Sequence, residues 1–76
     1  MDRVMEFKTI VAQYSKVLPE DMTPEMRFRE DLGFTSLDFM SFLGEIEDTF
    51  DLELEEEKVL QILTLGEALD LLSAAE

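Results

Sequence analysis

The sequence predicts an all-α fold: a small bundle of three main helices and one short helix, with a long loop between helices 1 and 2. Three observations predict it. Apolar residues recur at three- and four-residue steps, with no sustained alternation of strand type. Two stretches, Thr35-Ser36-Leu37-Asp38 and Thr64-Leu65-Gly66-Glu67, place an acid three residues after a threonine, as in a capped helix start. Punctuation is sparse, limited to Pro19, Pro24, Gly33, Gly44 and Gly66.

Helix 1 is expected over residues 2–17. Val4, Phe7, Val11, Tyr14 and Leu18 share one face, with Ile10 at its edge, and Pro19 is the expected stop. The connection over 19–34 follows. Thr23-Pro24-Glu25 reads as a capped single turn with proline at the first helical position. Met22, Met26, Phe28 and Leu32 are expected to pin the connection to the core. A loop this long inside a small domain is often functional.

Helix 2 is expected to start with Thr35 as its cap and Asp38 completing a capping box, and to run to Phe50. At about 100° per residue, Phe39, Phe42, Leu43, Ile46 and Phe50 form its core stripe. Leu37, Met40 and Gly44 fall elsewhere, flanked by Ser36 and Glu47. Two readings stand for this strip: a docking surface steered by acids and anchored by apolar residues, or ordinary scattered surface hydrophobes. Gly44 costs about 1 kcal/mol relative to alanine in mid-helix. Close approach of a neighbour or simple tolerance accounts for it. A short third helix is expected over 55–62. The last helix starts at the second capping box and buries Leu65, Ala68, Leu69 and Leu72.

Composition narrows function. The 76 residues are expected to form one domain, 1–76. With no cysteine there is neither a disulfide nor a thiolate metal site. With no histidine there is no usual general base, so no Ser–His–Asp or Cys–His constellation can form. Much of ordinary enzymology is thereby excluded before any motif is read. Six basic against 19 acidic residues give a net charge of −13. Nucleic-acid backbones and anionic membranes repel such a chain, whereas proteins with basic patches attract it. A 46% hydrophobic fraction and six phenylalanines argue against disorder. No apolar run suits a signal peptide or the roughly 20 residues of a membrane span, so a cytoplasmic location is expected.

Eleven acids and no Lys or Arg lie between Glu30 and Glu57. Such a run reads first as a solvated face. Glu45, Glu47, Asp48 and Asp51 lack the regular spacing of an EF-hand loop, so no metal site is expected beyond weak, charge-relieving binding of calcium or magnesium.

Gly33 permits a tight turn just before helix 2. Ser36 then falls in the first turn, beside unpaired N–H groups that also favour a phosphate ester. By position alone, a plain helix cap is the simpler reading of Ser36.

The stretch Asp31-Leu32-Gly33-Phe34-Thr35-Ser36-Leu37-Asp38 resembles the signature of the acyl carrier proteins, Asp-Leu-Gly-x-Asp-Ser-Leu-Asp. Thr35 in place of Asp is the one departure. The likeness spans essentially the whole chain, including Glu45-Ile46-Glu47-Asp48-Thr49-Phe50 and the Thr64–Glu67 helix start. The resemblance implies a non-catalytic carrier with 4′-phosphopantetheine, derived from coenzyme A, on Ser36. It implies partner docking through Leu37, Asp38, Met40, Glu47 and Asp48. The implied partners are a phosphopantetheinyl transferase and acyl-transferring or chain-elongating enzymes with basic docking patches, met by a monomer. Ser41 stands where many relatives carry an acid, and Gly44 where they often carry a bulky apolar residue; both point to a dedicated partner set.

The resulting expectation is an acyl carrier for fatty-acid or polyketide-type synthesis. An aminoacyl or D-alanyl carrier using the same arm is the alternative, as is an unmodified acidic helical adaptor. The Phe39/Phe42 side of helix 2 is expected to part from the last helix to shelter an acyl chain.

Overall fold

The computed structural model describes residues 2–74. In chain order it contains α1 (Arg3–Ala12), a 3₁₀ turn (Pro19–Asp21), α2 (Ser36–Phe50), α3 (Glu56–Val59) and α4 (Leu65–Ala74). The all-α bundle with its long first loop is as the apolar spacing predicts.

α1 starts on Asp2, whose Oδ1 accepts from the Met5 N–H at 2.8 Å. It ends at Ala12, well short of the expected residue 17. The Gln13 N–H bonds Ile10 O at 3.1 Å and the Tyr14 N–H bonds Val11 O at 3.0 Å, so the last turn tightens. Ser15 Oγ then accepts from the Val17 N–H at 3.2 Å, a local bond that competes with helix. The chain has thus left the helix before Leu18, which is 54% exposed instead of sharing the core face. Val4 is exposed too, while Ile10 joins Phe7 and Val11 in the core. Pro19 is no stop signal; it opens the 3₁₀ turn at the first position, where its missing N–H costs nothing.

At Thr23-Pro24-Glu25 the chain makes a tight turn, with the Met26 N–H on Thr23 O at 3.2 Å, but no helix. The loop is anchored as expected: Met22, Phe28 and Leu32 are buried and Met26 is half-buried. It is also strapped to the segment before α4. The Phe28 N–H bonds Leu63 O at 3.1 Å, and the Leu65 N–H bonds Met26 O at 3.0 Å, around an isolated Arg27–Thr64 bridge. The Gly66 N–H bonds Pro24 O at 2.9 Å, and a Cβ at Gly66 would lie 3.1 Å from Pro24 Cβ. Here glycine is needed for close approach.

α2 has the expected bounds and stripe. Phe42, Leu43 and Ile46 are buried; Phe39 and Phe50 are half-buried. Phe42 is the hub of an aromatic cluster, with Phe7 at 5.6 Å, Phe28 at 5.5 Å and Phe34 at 5.6 Å between ring centroids. α2 ends on Asp51 in the left-handed region at φ 53°, which Asp tolerates better than most residues. Leu52 N–H returns to Glu47 O at 3.1 Å, and Glu47 Oε2 accepts from the Leu54 N–H at 2.9 Å.

α3 covers Glu56–Val59, shorter than the expected 55–62. Its cap residue, Glu55, makes no side-chain cap bond, and the chain after Leu60 tightens through the Gln61 N–H to Lys58 O and the Ile62 N–H to Val59 O. Val59 and Ile62 are only half-buried, so little packing sustains a longer helix. α4 begins at the expected capping box: Glu67 Oε1 accepts from the Thr64 N–H and Thr64 Oγ1 accepts from the Glu67 N–H. Leu65, Ala68 and Leu72 are buried, and Leu69 is half-buried. No helix among the described residues is long and apolar enough to cross a membrane.

Candidate functional site at the start of α2

The loop before α2 is a closed unit. Asp31 Oδ2 accepts from the Arg27 N–H at 2.8 Å, while the Asp31 and Leu32 N–H groups both bond Arg27 O at 3.0 Å. Gly33 at φ 75° then turns the chain, as only glycine does without strain. The Phe34 N–H bonds Phe28 O at 2.8 Å, and the two rings meet at 5.2 Å. Both rings are buried, so the loop is locked to the core at its two ends. Asp31 and Gly33 of the signature are thus residues that shape the loop.

Thr35 follows in extended conformation at φ −85° and ψ 172°, and caps α2 reciprocally. Thr35 Oγ1 accepts from the Asp38 N–H at 3.1 Å, and Asp38 Oδ2 accepts from the Thr35 N–H at 3.0 Å. The cap role belongs to Thr35, which leaves the Ser36 hydroxyl outside the capping box. Ser36 is the first helical residue and is exposed. As in any α-helix, the N–H groups of Ser36 and Leu37 have no intrahelical acceptor. Ser36 Oγ accepts one hydrogen bond, from Arg29 Nη2 at 3.0 Å. A guanidinium donates and cannot take a proton. Nothing in this contact makes the hydroxyl a nucleophile.

Beside Ser36 opens a cleft of about 470 Å³. Phe28 and Phe34 of the loop, Phe39 and Met40 of α2, and Val59, Ile62 and Leu63 in and after α3 line it, with Arg29 and Ser36. This cleft lies beside α3, a different place from the seam between α2 and the last helix that is expected to part for an acyl chain. α4 presents buried Leu65, Ala68 and Leu72 to the core, whereas the one-turn α3 and the residues after it pack loosely enough to leave the cleft.

The remaining candidate residues distribute unevenly. Leu37 is 80% exposed and Met40 is 67% exposed, beside Ser36. Leu60 and Leu63, which line the cleft together with Met40, are exposed as well; sequence spacing within α2 could not show this. Asp38 is half-buried in the capping box, and Glu47 is half-buried on the Leu54 N–H. Asp48 is exposed. A Cβ at Gly44 would meet nothing within 4 Å, so no close approach within the chain requires this glycine. Glu45 accepts from Tyr14 Oη at 2.9 Å while Glu47 serves the Leu54 N–H, so these acids point to different tasks. Among the described residues, no three acids gather as a metal-holding group.

The sequence profile of the phosphopantetheine attachment-site family matches residues 6–72. The chain belongs to that family. Its fold agrees with solved acyl carrier proteins. One, from Enterococcus faecalis, is 25% identical, with a TM-score of 0.83 over 96% of this chain and 92% of that one. A second, described as a candidate acyl carrier protein from Mycobacterium tuberculosis, is 23% identical, with a TM-score of 0.82 over 93% and 96% of the two chains. This acyl-carrier-like domain takes 4′-phosphopantetheine as its cofactor. The residues present fit the group: an exposed hydroxyl at a helix start, a cation against it, and an apolar cleft alongside.

Proposed function

We propose that residues 1–76 act as one acyl carrier domain, with the phosphopantetheine arm esterified to Ser36 Oγ. The observation that carries this reading is the exposed Ser36 hydroxyl, freed from capping by Thr35 and set on the wall of an apolar cleft. When bound, the group supplies a terminal thiol that holds acyl groups as thioesters on a long tether.

This chain's own residues then do three things. The Thr35–Asp38 box and the Gly33 turn fix where the hydroxyl stands. Leu37 and Met40 offer apolar contacts beside it, and Asp38, Glu47 and Asp48 lie on the same acidic helix that steers basic partners. The Phe28, Phe39 and Ile62 lining offers shelter to an alkyl chain, which favours acyl over aminoacyl cargo. Fatty-acid or polyketide-type synthesis by separate cytoplasmic enzymes is the setting that suits a monomeric carrier of this kind. A phosphopantetheinyl transferase supplies the arm, and acyl-transferring and chain-elongating enzymes with basic patches are the later partners.

Intact mass after co-expression with a phosphopantetheinyl transferase tests the reading. The expected result is a gain of one phosphopantetheine, lost in Ser36→Ala. An unmodified wild-type chain, or a Ser36→Ala chain that still gains the mass, sinks it.

A further inference from the structure

The cation at the attachment hydroxyl is the feature that the acyl-carrier reading leaves unused. Arg29 is the last basic residue before eleven acids that run from Glu30 to Glu57. Its neighbours in sequence, Glu30 and Asp31, are the obvious partners for it, yet both serve Arg27. Glu30 Oε2 pairs with Arg27 Nη1 at 3.0 Å, and Asp31 Oδ2 accepts from the Arg27 N–H. Among the described residues no carboxylate pairs with Arg29. Its guanidinium instead donates to the neutral Ser36 hydroxyl at 3.0 Å, although it stands in the most acidic part of the chain.

The geometry points to Arg29 as the residue that holds the phosphodiester at the root of the arm. This rests on Ser36 being the attachment residue. An ester at Oγ places phosphorus one bond, and its phosphate oxygens two bonds, beyond the atom that Arg29 already touches. The contact between a cation and a neutral hydroxyl then becomes an ion pair with a phosphate, shorter and stronger in kind. A guanidinium presents several donors in a fixed fork, so it can follow the phosphate without leaving its place. Without such a cation, a phosphodiester on α2 would sit beside the Asp38 carboxylate, inside the acid run, with only the helix start to favour it.

The placement also has a direction. Arg29 and Ser36 line the same cleft as Phe39 and Leu63. Holding the phosphate on the Arg29 side keeps the first part of the arm over the cleft opening. Arg29 is in this sense a positioning residue for the arm. It performs no chemistry.

The test uses the full chain in its phosphopantetheinylated form, and reads the ³¹P resonance of the phosphodiester. The reference position is that of the same protein unfolded in urea. The expected wild-type resonance is displaced from the reference at low salt. In Arg29→Gln it collapses onto the reference, and in Arg29→Lys, which keeps charge without the fork, it lies between. Raising salt to about 1 M, where the screening length falls to about 3 Å, moves the wild-type resonance the same way. Superimposed resonances of wild type and Arg29→Gln overturn the proposal.

Should the variant escape modification, the wild type alone decides. The Arg29 side-chain Nε–H resonance is then compared before and after modification. A shift on modification that salt reverses supports the contact, and an unmoved resonance overturns it. Failure of the Ser36 reading shows earlier and separately, as a wild-type mass without the arm, and removes this proposal with it.

Discussion

Tyr14 Oη donates to Glu45 Oε1 at 2.9 Å, joining residues 31 apart in sequence and tying the chain just past α1 to the middle of α2. The Tyr14 ring leans on Phe34 at 5.8 Å and on Phe42 at 6.4 Å. The bond to the Glu45 carboxylate holds the phenol above its ordinary value of 10.0, with desolvation and the charges of Glu45 and Asp38 adding to it. The folded state therefore keeps this proton where the unfolded chain begins to lose it. The associated stability is fully present below pH 10 and is lost as pH rises through the higher folded value. Urea midpoints from pH 8 to 11 should fall more steeply at the alkaline end in wild type than in Tyr14→Phe. Parallel curves would count against the contact.

Phe42 is 1% exposed and sits among five other aromatic rings at 5.5–6.4 Å. Phe42→Ala is expected to cost about 3–5 kcal/mol. A domain of this size has only a few kcal/mol more than that, so the variant should be largely unfolded by modest urea. Far-UV circular dichroism during urea titration is the measurement. A midpoint close to wild type would contradict the central role of this ring.

Two glycines should respond in opposite directions. Gly44→Ala adds a methyl group in open space on a helix and should stabilise by about 1 kcal/mol. Gly66→Ala drives its Cβ to 3.1 Å from Pro24 Cβ and 3.2 Å from Pro24 O, against backbone that the Gly66 N–H already holds, and should destabilise. Paired denaturation curves check both signs at once. Loss of stability in Gly44→Ala would show that the helix needs this glycine after all.

The cap of α2 separates two roles that adjacent residues could have shared. Thr35→Ala removes the acceptor for the Asp38 N–H and should cost about 1 kcal/mol. Ser36→Ala leaves the box intact and should change stability by only a few tenths as great an amount. Thr35→Asp keeps a side-chain acceptor at least as good as threonine's and should not destabilise. Equal losses for Thr35→Ala and Ser36→Ala would mean that Ser36 also caps.

Charge steering is best read at Asp48. Glu47 is half-buried on the Leu54 N–H, so changing it mixes docking with damage to the turn after α2. Asp48 is exposed and carries no such bond. Asp48→Lys should slow acyl transfer from the carrier to a cognate enzyme more at low salt than at high salt. An equal slowing at both would exclude steering as its cause.

Much of the fold is legible in the sequence. The start and end of α2, its Phe39-to-Phe50 stripe, both threonine capping boxes and the anchoring of the loop by Met22, Phe28 and Leu32 follow from local chemistry that operates over three or four residues. The ends of α1 and α3 were not legible. α1 stops at Ala12 because a 3₁₀ turn and the Ser15 hydroxyl win over an apolar spacing that continues to Leu18. α3 stops at Val59 because its packing is too slight to extend it.

The sequence by itself determined that this is a small acidic helical carrier with Ser36 at the head of α2, because composition, caps and signature are all written locally. Tertiary structure alone decided which residues surround that serine. The turn at Gly33 and the strap between residues 26–28 and 63–65 fold Arg29 onto Ser36 Oγ, and bring Val59, Ile62 and Leu63 across from Phe39. Such neighbours are set by long-range backbone bonds and core packing, which no spacing along one helix encodes. The apolar cleft thus lies against α3, and the cation on the Ser36 hydroxyl comes from the long loop.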